Sequence, residues 1–221
     1  MKGLFISFDG TEGSGKSTHI EWLAKRLQAT GQTVRVLREP GGTPIGEEIR
    51  HTLKHSQHNQ AMTPEAELLL MNASRAQLVR ETIRPALAAN GVVLCDRFYD
   101  STIAYQGYGR QLDLNVVRAV IDFAVGRTRP DLTVLLMVPL AVSETRRQRR
   151  RTAASPVRDR FEDADRDFFK RVEEGYRSIA AAEPQRVYPV DSTQPLEVVK
   201  SAIWLRVEPL LRASTGRQGQ G

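Results

Sequence analysis

Residues 5–18, FISFDGTEGSGKST, constrain this chain more than any other stretch. An apolar run ending in Phe8 opens into Asp9, Gly10, Thr11, Glu12, Gly13, Ser14, Gly15, Lys16, Ser17 and Thr18, with the spacing GxxxxGKS. These residue types in this order suit phosphate. The glycines let backbone N–H groups turn inward around its oxygens, the lysine reaches the β and γ phosphates of a nucleotide, and the Ser17 hydroxyl can hold Mg²⁺. Ile20, Leu23, Ala24 and Leu27 follow at i, i+3, i+4 and i+7, so the loop leads from a strand into a helix and sets the anion at that helix's positive end. A glycine-rich turn without a ligand accounts for neither neighbour.

With 221 residues, 40% hydrophobic and 26% charged, the chain can bury one sizeable core. One domain is expected over 1–212, with 213–221 as a disordered tail. Residues 1–9 hold no long apolar segment before the first acid, and no run approaches the length that crosses a bilayer, so a soluble, unexported protein with no membrane partner is expected. A single cysteine, Cys95, excludes an internal disulfide and fits a reducing cytoplasm. The net charge of +6 and pI near 9.8 admit either nucleic acid or a polyanionic small molecule as partner. Seven arginines lie within 146–160 (Arg146, Arg147, Arg149, Arg150, Arg151, Arg158, Arg160). No aromatics interleave with them as base stacking requires, which favours small-molecule phosphate and no nucleic-acid partner.

Gly31 stops the first helix and 34–37 read as a second strand. Residues 38–43, REPGGT, then form a turn beyond its carboxyl end, where open α/β sheets bind ligands. A helix around 45–53 carries Glu47, Glu48 and Arg50. His51, His55 and His58 follow, read as a solvated loop rather than a metal site because neither HExxH nor companion carboxylates accompany them. Thr63 and Pro64 are the N-cap and first residue of a long helix with Leu68, Met71, Arg75 and Leu78 on one face. Arg75 therefore needs an acceptor, either a structural carboxylate or a ligand.

Pro85 opens another helical turn, stopped at Gly91. Val92, Val93, Leu94 and Cys95 form a strand buried on both faces that ends at Asp96 and Arg97. Asp96 suits water around Mg²⁺ and Arg97 suits phosphate, the alternative being a structural ion pair. Residues 98–110 carry Asp100, Ser101, Thr102, Tyr105, Gln106 and Arg110, a polar and aromatic set unusual for a connector. Asp113 caps a helix through Val116, Val117, Val120 and Phe123, and 132–138 form a fourth buried strand. The arginine-bearing helix dissolves at 152–157, which predicts a closing lid around 146–160. Phe168, Val172, Tyr176 and Ile179 pattern a helix, 187–190 a fifth strand and 196–211 the last helix. The fold class is α/β, a five-stranded, mostly parallel, doubly wound sheet flanked by helices.

REPGGT (38–43), RAQLV (75–79), DRFYDSTIAYQGYGR (96–110), RPDLT (129–133), DRFE (159–162) and VDSTQPLEVV (190–199), with the phosphate loop, make the chain resemble the bacterial thymidylate kinases of the P-loop NTPase fold over nearly its whole length. The resemblance implies transfer of the ATP γ-phosphoryl group to thymidine 5′-monophosphate, with Mg²⁺, in a cytoplasmic homodimer. It places Glu12 near the acceptor sugar and metal, Arg97 on the acceptor phosphate, and Arg75 on a thymine carbonyl. Thr102 and Gln106 fall where the base edge is read, Tyr105 where the ribose 2′ position is crowded, and Arg38, Glu39, Arg50 and Ser101 on the same acceptor side. Lys16 serves the donor, and Ser17 with Asp96 the metal. The phosphate loop lacks an arginine, while Arg150 and Arg160 match lid arginines, as in the subclass that delivers its catalytic arginine from the lid.

Two positions depart from the family pattern. Met71 stands where a phenylalanine usually stacks on thymine, and a thioether can still pack on a ring face. Met137 stands where the fourth strand often ends in an acid, for which there is no physical account. The expected specificity is strong rejection of cytidylate, whose amino group would meet the donor Arg75, and modest rejection of deoxyuridylate, which lacks only a methyl. Rival readings are another nucleoside monophosphate kinase, a GTPase, whose NKxD motif is absent, and a nucleic-acid-dependent ATPase.

Overall fold

The computed structural model describes residues 3–153, 160, 161 and 164–215, with the side chains of 147, 150–153 and 215 outside that description. β1 (Leu4–Gly10) is buried at every position because both its faces and both its edges are covered. It runs into α1 (Lys16–Ala29), and β2 (Val34–Arg38) follows. The chain continues through α2 (Pro44–Lys54), α3 (Pro64–Leu78), a wide helical turn at Val79–Ile83, and α4 (Arg84–Ala88), which carries Pro85 in its first turn and continues directly from the wide turn rather than opening a separate helix at Pro85. After β3 (Val92–Asp96), the 98–110 segment is helical, as α5 (Tyr99–Thr102) and a wide-pitched stretch at Ile103–Gly109. Then come α6 (Leu114–Val125), β4 (Leu132–Met137), α7 (Leu140–Ala153), α8 (Arg166–Ala182), β5 (Val187–Asp191) and α9 (Leu196–Thr215).

The strand order is β2-β3-β1-β4-β5 and every pairing is parallel, where the sequence predicted mostly parallel. Alternation along the strands divides the core. Phe5, Val93, Cys95, Leu135 and Val187 face α3, α6 and α8, whereas Leu4, Ile6, Phe8, Val134 and Leu136 face α1 and α9. Truncating such a side chain, Leu23 or Ile121 for example, would cost about 2–5 kcal/mol.

The caps follow the sequence. Thr63 accepts from the Ala66 amide at 3.3 Å ahead of Pro64, and Asp113 accepts from the Asn115 amide at 2.7 Å. Two expectations shift. Of Val116, Val117, Val120 and Phe123, α6 fully buries only Val117, together with Ile121, Ala124 and Val125, and leaves Val116 and Phe123 exposed, Phe123 at 85%, because the inward arc centres on 117, 121 and 124. α9 runs to Thr215, beyond the predicted stop at 211, so the expected tail is helical at 213–215; residues 216–221 lie outside the described residues.

Candidate active site

β1 meets β3 on one side and β4 on the other, so the carboxyl ends of these strands form the crevice where the sheet's winding reverses. The phosphate loop fills it. Gly10 has φ +136° and Gly15, the residue before α1, φ +88°, conformations that L side chains rarely adopt. A Cβ on Gly10 would lie 2.3 Å from the Leu136 carbonyl oxygen. Lys16 Nζ arches over the loop, donating to the carbonyls of Gly10 at 3.2 Å and Thr11 at 3.0 Å and to Ser14 Oγ at 3.4 Å. Burial, with Arg97 adding to it, pushes the Lys16 amine down to about 8. Ser14 is fully buried, its carbonyl taken by Ser192 Oγ at 2.6 Å.

The loop opens on a cavity of about 490 Å³ whose walls include Glu12, Gly13, Gly15, Lys16, Ser17, Thr18, Arg38, Glu39, Arg50, Lys54, Asp96, Arg97 and Arg146. Ser17 Oγ donates to Asp96 Oδ2 at 3.4 Å, so the hydroxyl and carboxylate named as a metal pair are neighbours. Arg97 faces them with an unusual backbone, φ +70°, its amide donating to the Phe8 carbonyl at 2.9 Å. Its guanidinium donates to Gly10 O at 2.9 Å, Ser101 Oγ at 3.1 Å, Tyr176 Oη at 3.2 Å, Tyr105 Oη at 3.4 Å and Glu12 Oε1 at 2.6 Å. Burial alone would raise the Glu12 carboxyl, but Arg97, Lys16 and Lys54 outweigh it and hold the group well below its ordinary value. Arg38 donates to Glu47 at 2.8 Å and Arg50 to the Pro40 carbonyl at 2.9 Å.

A second, smaller cavity of about 40 Å³ adjoins the first, walled by Glu12, Glu39, Pro40, Lys54, Met71, Arg97, Ser101, Tyr105, Gln106 and Phe161. It is less than a tenth of the larger one. Phe161 closes it, edge-on to Tyr105 with ring centroids 6.4 Å apart. Gln106 and Tyr105 were expected here, and so was Met71.

Gly10, Thr11 and Ser14 underlie the loop rather than line these walls, and Arg75, Thr102 and Arg160 also lie outside them. Arg75 is fully buried behind Glu39, its Nε donating to Glu39 Oε2 at 2.8 Å and its Nη1 to Asn72 Oδ1 at 2.9 Å. Of the two acceptors left open by the sequence, the carboxylate holds it. Burial pushes Glu39 up to about 7 against the pull of Arg75. Thr102 is likewise buried, its Oγ1 without a hydrogen-bond partner among the described residues. Arg160, expected over the phosphates, donates instead to Glu67 and, at 2.9 Å, to the Met62 carbonyl, because a buried carboxylate is the strongest acceptor within reach. Arg150 belongs to α7, but its side chain lies outside the described residues.

Sequence reasoning missed several contributors. Asp9, fully buried, accepts from Ser101 Oγ, and burial together with Asp100 pushes its carboxyl up to about 6. An acid inside an apolar strand was the available signal. Glu67 stood on the buried face of its helix, four residues before Met71, and was as visible. Arg146 donates to Gly13 O at 3.1 Å and Ser192 O at 3.3 Å, bringing a guanidinium of α7 onto the phosphate loop. Tyr176 and the Arg186–Asp100 pair, at 2.7 Å, join segments too distant in sequence for any local pattern to show.

A phosphate cradle at the mouth of a parallel sheet, sharing one cavity with guanidiniums and adjoining a small pocket with aromatic walls, is the arrangement of a P-loop kinase, which passes a phosphoryl group from one phosphate-bearing molecule to another. Comparison narrows the class. The thymidylate kinase family model matches residues 8–203. Thymidylate kinase of Syntrophotalea carbinolica is 46% identical over 96% of this chain and 99% of its own length. That of Geotalea uraniireducens is 48% identical over 91% and 94%. The crystal structure of thymidylate kinase from Ehrlichia chaffeensis matches with a TM-score of 0.72 at 30% identity, over 96% of this chain and 99% of that one. The chain belongs to the thymidylate kinase family, and its activity is phosphorylation of thymidine 5′-monophosphate with ATP as donor.

Proposed function

We propose that the larger cavity brings the ATP phosphates and the thymidylate phosphate end to end, with the base in the smaller pocket, in a single kinase domain spanning 1–212. The observation that carries this is that Lys16 and Arg97, both donating to the Gly10 carbonyl, line one cavity that adjoins a pocket walled by Tyr105 and Gln106. Phosphoryl transfer passes through a loose transition state, so the protein's task is to align and neutralise. Lys16, released from the loop carbonyls, meets the β and γ oxygens. Arg97 holds the acceptor phosphate in line, and Glu12 fixes the Arg97 guanidinium from the opposite side at 2.6 Å. Arg38, Arg50 and Ser101 complete the acceptor side, with Thr11, Ser14 and Thr18 shaping the donor loop.

The reading includes Mg²⁺. Ser17 and Asp96 offer a hydroxyl and one carboxylate at the cavity wall, a hard oxygen set that suits a cation keeping most of its water. Held by Ser17 and Asp96, the cation would supply positive charge against the negative charge of the phosphates. Arg150 and Arg160 are assigned to the lid, and the contact of Arg146 with the phosphate loop supports approach from this side. A homodimer is supported by Leu69, Val116 and Phe123, apolar yet exposed on the neighbouring helices α3 and α6. The cytoplasm, with its ATP and its reducing milieu for the buried thiol Cys95, is the compartment assigned.

Coupled-assay turnover with ATP and a panel of nucleoside monophosphates, with and without DNA, tests the reading. Thymidylate is expected to lead, deoxyuridylate to follow within about 10- to 200-fold as one methyl allows, and deoxycytidylate to trail far behind. Comparable use of deoxycytidylate would overturn the pocket, and DNA-stimulated ATP turnover the whole assignment.

A further inference from the structure

Gln106 is fully buried and lines the smaller cavity, whereas Glu67, also fully buried, does not. Gln106 Nε2 donates to Glu67 Oε1 at 2.7 Å, and its Oε1 is buried with no hydrogen-bond partner among the described residues. The NH₂ end of the amide is thus committed to Glu67, which is outside the cavity walls, and the oxygen is the end left without a partner among the described residues to accept from a bound ring.

That orientation is chemically enforced. Arg110 grips Glu67 with two bonds, Nε to Oε1 at 3.3 Å and Nη2 to Oε2 at 3.0 Å, and Arg160 donates to Oε2 from the other side. A carboxylate between two guanidiniums only accepts, so it selects the NH₂ of Gln106 and refuses the carbonyl. With Glu67 absent, nothing would distinguish the two amide orientations.

We propose that Glu67 is a positioning residue for base selection: it turns Gln106 Oε1 into the base pocket, which then accepts a ring N–H donor and rejects a ring nitrogen that is itself an acceptor. Thymine carries N–H at ring position 3; cytosine presents a lone pair there. The inference rests on the reading of the smaller cavity as the base pocket.

The test compares kcat/KM for thymidylate and deoxycytidylate in wild type, Glu67→Gln, Gln106→Leu and the double variant. Glu67→Gln permits either amide orientation, and the thymidylate preference is expected to fall at least about tenfold. In the Gln106→Leu background the same substitution should leave the ratio unchanged, a coupling that a purely structural role would not produce. If Glu67→Gln fails to fold, Glu67→Asp, which withdraws the carboxylate by one methylene yet keeps its charge for Arg110 and Arg160, should lower the ratio in the same way. A ratio within twofold of wild type in a folded Glu67 variant, or an equal fall without Gln106, overturns the inference. Undiminished preference in Gln106→Leu strikes the pocket reading itself, whereas a fall there with none in the Glu67 variants strikes Glu67 alone.

Discussion

Arg97 shows how much this site depends on single residues held against their preferences. A left-handed backbone costs a non-glycine residue about 1–3 kcal/mol, and it persists because the Phe8 carbonyl takes the amide while the guanidinium is held by Glu12, Ser101 and Tyr176. Beneath it, Asp9 has the opposite problem, a carboxylate with one oxygen lacking a partner among the described residues. Burial and Asp100 outweigh Arg97 and Lys16, so Asp9 keeps its proton to about pH 6 in the folded chain against 3.8 for the ordinary group. Between those values the folded state binds the extra proton, so this contribution to stability falls as pH rises through that window and stays lost above it. Asp9→Asn is therefore expected to raise the melting temperature at pH 8, with the gain shrinking as pH falls to 5. Melting curves across that range check it, and an equal effect at both ends would refute it.

At the scale of elements, the helix α7 carries the test of charge cancellation. Arg146 already rests on the phosphate loop, and Arg150 follows it by four residues along the chain. Replacing Arg150 and Arg160 together by alanine should lower kcat on the order of 10³-fold, as removal of an arginine finger does, and near-normal turnover in a steady-state assay would refute the lid assignment. Elements were also what the sequence displayed best. The phosphate loop was legible because its chemistry is local, and Thr63-Pro64 and Asp113 because a cap needs only its own helix. Partnerships across elements were not. Spacing placed Arg75 on an apolar face but held no sign that Glu39 stands between it and the cavity, and Arg160 could not be seen to reach Glu67, 93 positions away.

For the molecule as a whole, alternating strands and helices were enough for the layer architecture, while the order of strands and the face each helix turns outward needed the packed core. Phe123 is the instructive case: its apolar character predicted burial, and the fold leaves it 85% exposed. In the proposed homodimer that exposure would be covered by the partner's surface, so Phe123→Asp is expected to shift sedimentation from dimer to monomer. Folding stability of the monomer should change by no more than about 0.5 kcal/mol, as for other surface sites. Unaltered mass in the variant would place the interface elsewhere. The narrow hollow between Met71 and Phe161 carries a further consequence. In the proposed base pocket an arriving ring would meet Phe161 as one wall, so any work of displacing that side chain would be subtracted from the contacts the ring gains. A bulkier flat mimic then loses affinity even where its added atoms touch the wall well.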